Sequence, residues 1–396
     1  MSNPVFQAAD QCVMCGLCLP HCPTYRQTAD EGDSPRGRIA LIQALDQGNV
    51  PADSERLAFH LDRCLGCRAC EAMCPSHVPF MALMDQARAE VNREQGMKRY
   101  GAPANQLLNM VTAPGKMRLA AAVAGPMGFV IRHAPISSGW SRVRDLFPKP
   151  IHHTFKVQAA NSRDRPIYLF AGCMGDLAER ETLQAAEQLL AAMDYYVVRA
   201  ESAGCCGAMH RHAGQLDEAD SLVQKNLVAF DEYPDAPVLS VATGCAAELN
   251  GYPDSLSARH FEILSYLASI EWPEEIQLSP LEQKVAIHIP CTQRNVLKDT
   301  SSTRILMERI PGIQLTDLPL TDGCCGAGGL NLLNQVELGE SLFGQSLAWL
   351  VREQPRYLVS TNIGCTLHMQ AAIRQNDLDC EVVHPLTLLA RQLKSP

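Results

Sequence analysis

Apolar positions in the second half of the chain fall into short unbroken runs separated by longer stretches of helical periodicity. Ile167-Tyr168-Leu169-Phe170, Tyr196-Val197-Val198 and Val238-Leu239-Ser240-Val241 predict strands, as do Val285-Ala286-Ile287-His288-Ile289, Tyr357-Leu358-Val359-Ser360 and Glu381-Val382-Val383. Residues 177–193 and 217–230 predict helices between them. This alternation predicts parallel α/β units. The first hundred residues carry no such strand-like runs. There, Ser34-Pro35-Arg36-Gly37-Arg38 predicts a capped helix start, followed by Ile39, Ala40, Leu41, Ile42, Ala44 and Leu45, and residues 54–61 are also helical in pattern. The longest apolar stretch, 119–131, spans 13 residues and is broken by Gly125-Pro126. A membrane-spanning helix needs about 20. Residues 105–133, with Lys116, Arg118 and Arg132, therefore predict a packed inter-domain helix or a helix lying on a membrane surface.

The strand-rich half repeats itself. Cys173, then Cys205-Cys206-Gly207, then Cys245 is followed by Cys291, then Cys324-Cys325-Gly326, then Cys365. The separations agree: 32 positions from Cys173 to Cys205 and 33 from Cys291 to Cys324, then 39 from Cys206 to Cys245 and 40 from Cys325 to Cys365. Local text agrees as well, Gly204-Cys205-Cys206-Gly207-Ala208 matching Gly323-Cys324-Cys325-Gly326-Ala327. Matched spacing with matched flanks implies an internal duplication. Cys173, Cys245, Cys291 and Cys365 each follow a predicted strand, which places them at the carboxyl ends of the sheets, where open α/β folds build their sites. The alternative reading, buried inert thiols, fits poorly with a Cys-Cys-Gly pair in both halves. Four cysteines per repeat suffice for one cluster each; one cluster in all, or one shared, is equally open.

Eight more cysteines lie in two copies of Cys-x-x-Cys-x-x-Cys-x-x-x-Cys-Pro: Cys12, Cys15, Cys18, Cys22, Pro23, and Cys64, Cys67, Cys70, Cys74, Pro75. This is the bacterial-type ferredoxin run, in which three cysteines hold one [4Fe–4S] cluster and the fourth serves the other cluster. The expected sets are Cys12, Cys15, Cys18 with Cys74, and Cys64, Cys67, Cys70 with Cys22. The prolines are expected to stop a preceding helix and turn the fourth ligand inward. Structural zinc has the same Cys-x-x-Cys spacing, but not the doubled triplet followed by Cys-Pro. Forty-one residues separate Cys22 from Cys64, so the module carries a helical insert. Arg36 and Arg38 either offset cluster charge or decorate a solvated helix start.

Composition narrows the picture further. A chain of 396 residues holds two or three domains, and 17 cysteines in a chain of this length argue for metal rather than a disulfide scaffold. Met1-Ser2-Asn3-Pro4 lacks the basic and apolar regions of a secretion signal, so a cytoplasmic location is expected. The net charge of −9 argues against nucleic acid as a partner. No Gly-x-Gly-x-x-Gly follows a strand, so neither a flavin nor a nicotinamide site is legible, and the glycines of 323–329 are already accounted for by their cysteines. Without such a cofactor the chain cannot take a hydride itself, so the two-electron step is expected on a partner. No catalytic residue is legible. Among histidines, His210, His212, His288 and His384 are expected to be structural. His368, three residues after Cys365, is the best ligand candidate, and Glu248 holds the matching position after Cys245. Cys380 lies outside both repeats and is expected in the core.

Together, a two-cluster module and a doubled Cys…Cys-Cys-Gly…Cys half resemble the iron–sulfur subunit of glycolate oxidase. Cys22-Pro23-Thr24-Tyr25 and Pro35-Arg36-Gly37-Arg38-Ile39 carry that resemblance most closely. The same superfamily includes iron–sulfur subunits of anaerobic glycerol-3-phosphate dehydrogenase, of lactate oxidation and of heterodisulfide reductase. The heterodisulfide reductases end each repeat in Cys-x-x-Cys, where this chain has Glu248 and His368. The resemblance implies an oxidoreductase electron-transfer subunit that receives electrons from an FAD-binding partner oxidising a 2-hydroxy acid. They pass through two [4Fe–4S] clusters and one or two further clusters toward quinone, with peripheral association at the inner face of the membrane. The expected fold is an α+β multidomain chain: residues 1–96 a mostly helical two-cluster ferredoxin-like module, 97–164 a connecting region, then a pseudo-duplicated Cys-Cys-Gly α/β domain comprising 165–278 and 279–396.

Overall fold

In the computed structural model, residues 4–112, 116, 144, 146, 155, 163–200, 202–320 and 323–394 are described. Of the expected surface or inter-domain helix of 105–133, residues 105–111 are described and helical, while most of its remainder and most of the connecting region lie outside the described residues. The chain divides into two units, Met1–Leu108 with Gly207–Asp220 and Pro319–Leu347, and Asn109–Cys206 with Ser221–Leu318 and Ala348–Pro396.

The first unit is helical. Its main elements are α1 (Pro23–Thr28), α2 (Pro35–Asp46), α3 (Glu55–Asp62), α4 (Ala69–Ala72), α5 (Phe80–Gln95) and α6 (Gly101–Val111). Ser34 caps α2 by accepting the Gly37 amide, and Ser54 caps α3 by accepting that of Leu57, so both starts lie where the sequence places them. Pro23 is the first residue of α1, a position that costs no hydrogen bond because that amide would be unpaired anyway. It thus opens a helix as well as closing the turn before it. On α5 the positions Phe80, Leu83, Met84, Ala87 and Val91 recur at helical spacing and bury against Ile39, Ile42, Leu57 and Leu61. The segments that follow each Cys-Cys pair are built into this unit: Ala213 and Leu330 share a core with Tyr100, Ala104 and Leu108.

The second unit holds two parallel four-stranded sheets. β1 (Pro166–Phe170), β2 (Tyr196–Val198), β3 (Val238–Ser240) and β4 (His260–Glu262) run in the order β2-β1-β3-β4. β5 (Lys284–Ile287), β6 (Gln314–Asp317), β7 (Tyr357–Val359) and β8 (Glu381–Val383) repeat it as β6-β5-β7-β8. Leu169 stands opposite Leu239 in the first sheet and Ala286 opposite Leu358 in the second. One core containing Ile167, Leu239, Val285, Val359 and Leu389 joins both. In both sheets the strand order reverses beside the first strand, which creates a crevice at the carboxyl ends of β1 and β3, and again at those of β5 and β7.

Glu179, at the start of the helix Arg180–Ala192, is buried, and burial alone pushes its carboxyl up to about 8. A carboxyl raised in the fold adds least cost below its ordinary value of 4.5 and removes stability as pH rises through about 8. Glu179→Gln is therefore expected to match the parent at pH 4 and exceed it above pH 8 by on the order of 4 kcal/mol. Urea unfolding of both proteins at the two pH values checks this; a pH-independent difference would refute it.

Candidate metal centres

The first pocket is formed where the two ferredoxin-like runs meet. Cys12, Cys15, Cys18 and Cys74 line one cavity with Gly16, Ile39, Cys70 and Phe80; it holds about 460 Å³ free of protein atoms, counting its open mouth. Cys15 is exposed, and so are Val13, Met14 and Leu17 on the same loop. Arg36 lines the cavity, reaching the Met14 carbonyl at 3.4 Å while its Nε donates to Glu31 Oε1 at 2.7 Å. Burial pushes the Cys18 thiol up, opposed by backbone hydrogen bonds from Arg36 and from Cys18 itself.

The second group is drier. Cys70 is buried, and burial, reinforced by Cys67, Cys64 and Cys22, pushes its thiol well above the usual range. A thiol buried among three others resists ionising unless a metal neutralises it, and all eight cysteines here are free of disulfides. Cys22 stands among Thr24, Asp33, Arg38 and His60, all buried. Arg38 donates to the His60 carbonyl at 2.8 Å, to Thr24 Oγ1 at 3.1 Å and to the Asp33 carbonyl. The Asp33 carboxylate takes His60 Nδ1 at 3.0 Å and Arg63 Nη1 at 2.8 Å. Arg38 is thus no solvated helix decoration, whereas Arg36 is partly exposed; the two arginines of one motif serve different pockets. Asn331 donates to the carbonyls of Arg63 and Cys64 at 3.2 and 3.3 Å. Gly328 lies so close over this loop that a Cβ would stand 2.7 Å from Leu65 Cα.

In the second unit, Cys173, Cys205, Cys206 and Cys245 come together. Cys173 and Cys245 follow β1 and β3 at the crevice, and Cys245 Sγ would lie 3.3 Å from a Cβ on Gly172. Hydrogen bonding to Cys205, then burial and the nearness of Cys205 and Cys245, raises the Cys173 thiol; contacts to Cys205 and Cys245 and then burial raise Cys206. The pair is held from behind: Asn226 donates to the Cys205 carbonyl at 2.9 Å and Tyr252 to that of Cys206 at 2.8 Å. Nothing in the sequence marks Asn226 and Tyr252, because they lie 21 and 46 residues from their partners. Of the second repeat, Cys291 and Cys365 occupy the equivalent ends of β5 and β7 in this unit, while Cys324 and Cys325 are buried in the part of the chain belonging to the first unit.

The cysteine-bearing ends of the two sheets meet along a polar seam. Thr292 donates to Thr243 Oγ1 at 3.0 Å, Thr361 to Gln293 Oε1 at 2.9 Å, and the Thr243 amide to the Thr361 carbonyl at 2.9 Å. His384 accepts the Leu386 amide and binds the Val241 carbonyl, and His212 binds Asp85, both as structural histidines. His288 Nδ1 contacts Ser360 Oγ at 2.9 Å. His368 is buried one turn after Cys365, Glu248 is half-buried, and Cys380 is buried.

Thiol groups of this number and arrangement fit iron–sulfur clusters, and comparison with known proteins agrees. Residues 8–78 match the 4Fe-4S dicluster domain, and 167–250 and 285–370 each match the cysteine-rich domain. The chain is 30% identical to the glycolate oxidase iron–sulfur subunit of Escherichia coli, across 92% of this chain and 90% of that one. It is 28% identical to the probable glycolate oxidase iron–sulfur subunit of Bacillus subtilis, across 96% and 92%. The lactate utilization protein A of Geobacillus kaustophilus is 25% identical over 55% of this chain and 95% of its own. With its dicluster module and doubled cysteine-rich half, the chain belongs to the family of glycolate oxidase iron–sulfur subunits.

Proposed function

We propose that this chain is the electron-transfer subunit of a 2-hydroxy-acid dehydrogenase complex, with glycolate or D-lactate as the acid. The observation that carries the reading is the pair of thiol groups in the first unit, one lining an open cavity and one with Cys22 and Cys70 buried. Bound [4Fe–4S] clusters would supply one-electron donor and acceptor states there. Cys12, Cys15, Cys18 and Cys74 would hold the first cluster, and Cys64, Cys67, Cys70 and Cys22 the second. Cys173, Cys205, Cys206 and Cys245 would hold a third, and Cys291, Cys324, Cys325 and Cys365 are their counterparts in the sequence of the second repeat.

The acid loses two electrons and two protons to an FAD-binding partner, leaving a 2-oxo acid. The electrons leave that partner singly, and a quinone takes two with two protons. This chain's part is to hold the thiolate sets and to keep Cys22 and Cys70 from water, with Arg36 and Arg38 supplying positive charge nearby. No helix among the described residues is long and apolar enough to cross a membrane.

The test is anaerobic purification of the tagged chain from its host with whatever accompanies it. Glycolate or D-lactate is expected to bleach the iron–sulfur absorbance. Bleaching by dithionite but by no hydroxy acid would overturn the reading and direct attention to glycerol 3-phosphate.

A further inference from the structure

The hydroxyl of Thr24 lies 3.2 Å from Cys22 Sγ and 3.0 Å from the Asp33 carbonyl. It has one proton and two candidate acceptors. When Cys22 is a thiol, its own proton points to the Asp33 carbonyl at 3.6 Å, and Thr24 donates to that carbonyl. A metal-bound Cys22 has no proton and can only accept. The Asp33 carbonyl remains satisfied by Arg38, which also donates to a lone pair of Thr24. The Thr24 proton is then free for the sulfur. Thr24, Asp33 and Arg38 are each 1% exposed or less, so this hydrogen bond forms where water does not compete.

We propose that Thr24, oriented by Arg38, sets the reduction potential of the cluster bound through Cys22 by hydrogen-bonding its thiolate. This rests on Cys22 being a ligand. Reduction adds negative charge that spreads onto the sulfurs, and a donor aimed at one of them favours the reduced state and raises the potential. The equivalent position in the second run is Ser76, half-buried at the open cavity, so the two clusters differ in this respect. Thr24 is a positioning residue: it touches a ligand sulfur and moves no electron itself.

The test is an anaerobic dithionite titration of the full chain followed by EPR. Thr24→Val keeps the side-chain shape and removes the hydroxyl. It is expected to lower the potential of one cluster so that its oxidised-to-reduced ratio at fixed poise rises about tenfold, or about 59 mV for one electron. The other N-terminal cluster stays put, and Thr24→Ser restores the first. Unchanged potentials with full iron content overturn the inference. Should Thr24→Val lose iron, the parent chain still decides. Transfer to D2O is expected to shift an Fe–Sγ stretch in its resonance Raman spectrum, and a spectrum indifferent to D2O overturns the inference. The ligand reading fails separately: Cys22→Ala would then retain both N-terminal EPR signals.

Discussion

Replacing Cys22 by alanine is expected to remove the cluster of Cys64, Cys67 and Cys70, not that of its sequence neighbours Cys12, Cys15 and Cys18. The neighbours line the open cavity together with Cys74 and with Cys70, but Cys22 is not among its lining residues and acts on Cys70 together with Cys67 and Cys64. On this reading each run would lend its last cysteine to the other, as its spacing leads one to expect. Pairing variants makes the assignment testable. Cys22→Ala combined with Cys70→Ala is expected to retain as much iron as either alone, because both strike one site. Cys22→Ala combined with Cys12→Ala is expected to lose both N-terminal clusters. Iron analysis and EPR on the purified chains decide it, and additive loss in the first pair would refute the crossing. Electron transfer from the flavoprotein partner should fall by more than the roughly 10–100-fold that outer-shell partners of a metal cost.

The second large effect is expected from Gly37→Ala. Gly37 lies in the first turn of α2, and its amide donates to Ser34 Oγ at 2.9 Å. A Cβ there would land on the Glu31 carbonyl oxygen, backbone against backbone, with no rotamer to relieve it. Either the Glu31–Asp33 turn or the start of α2 must move. That displaces Arg36, which holds Glu31 and the Met14 carbonyl, and Arg38, which holds Thr24 and Asp33. Overpacking ordinarily costs 1–3 kcal/mol, and a backbone clash belongs at about 3 kcal/mol or above. Lower thermal stability and reduced iron at both N-terminal sites are expected. Gly344→Ala, where a Cβ meets nothing within 4 Å, serves as the control and should be neutral or mildly stabilising. Equal behaviour of the two variants would refute the argument.

Six strands were legible because each is an apolar run bounded by turn residues, and they agree with the structure to within two residues at either end. β4 (His260–Glu262) and β6 (Gln314–Asp317) were not. Their sequences, HFE and QLTD, are largely polar, and they are strands only because β3 and β5 offer parallel edges to pair with. The helix expected over 177–193 is two, Gly175–Ala178 and Arg180–Ala192, separated at the buried Glu179.

Cysteine spacing by itself determined the dicluster module and the duplication. Those are local or periodic properties: a loop of three thiols at fixed intervals can wrap one cluster in any context, and a repeat shows itself as matched text. Hydrophobic patterning likewise determined the α/β class, because burial on both faces requires unbroken apolar strands. Only the tertiary structure decided which charges matter. Arg36 and Arg38 are two residues apart and chemically alike, yet one rims an open cavity and the other is sealed beside Cys22 by residues as distant as His60. It also decided that Thr24 faces a sulfur and that Asn226 and Tyr252 support Cys205 and Cys206. Such contacts depend on which surfaces the core brings together, and no periodicity along the chain encodes them.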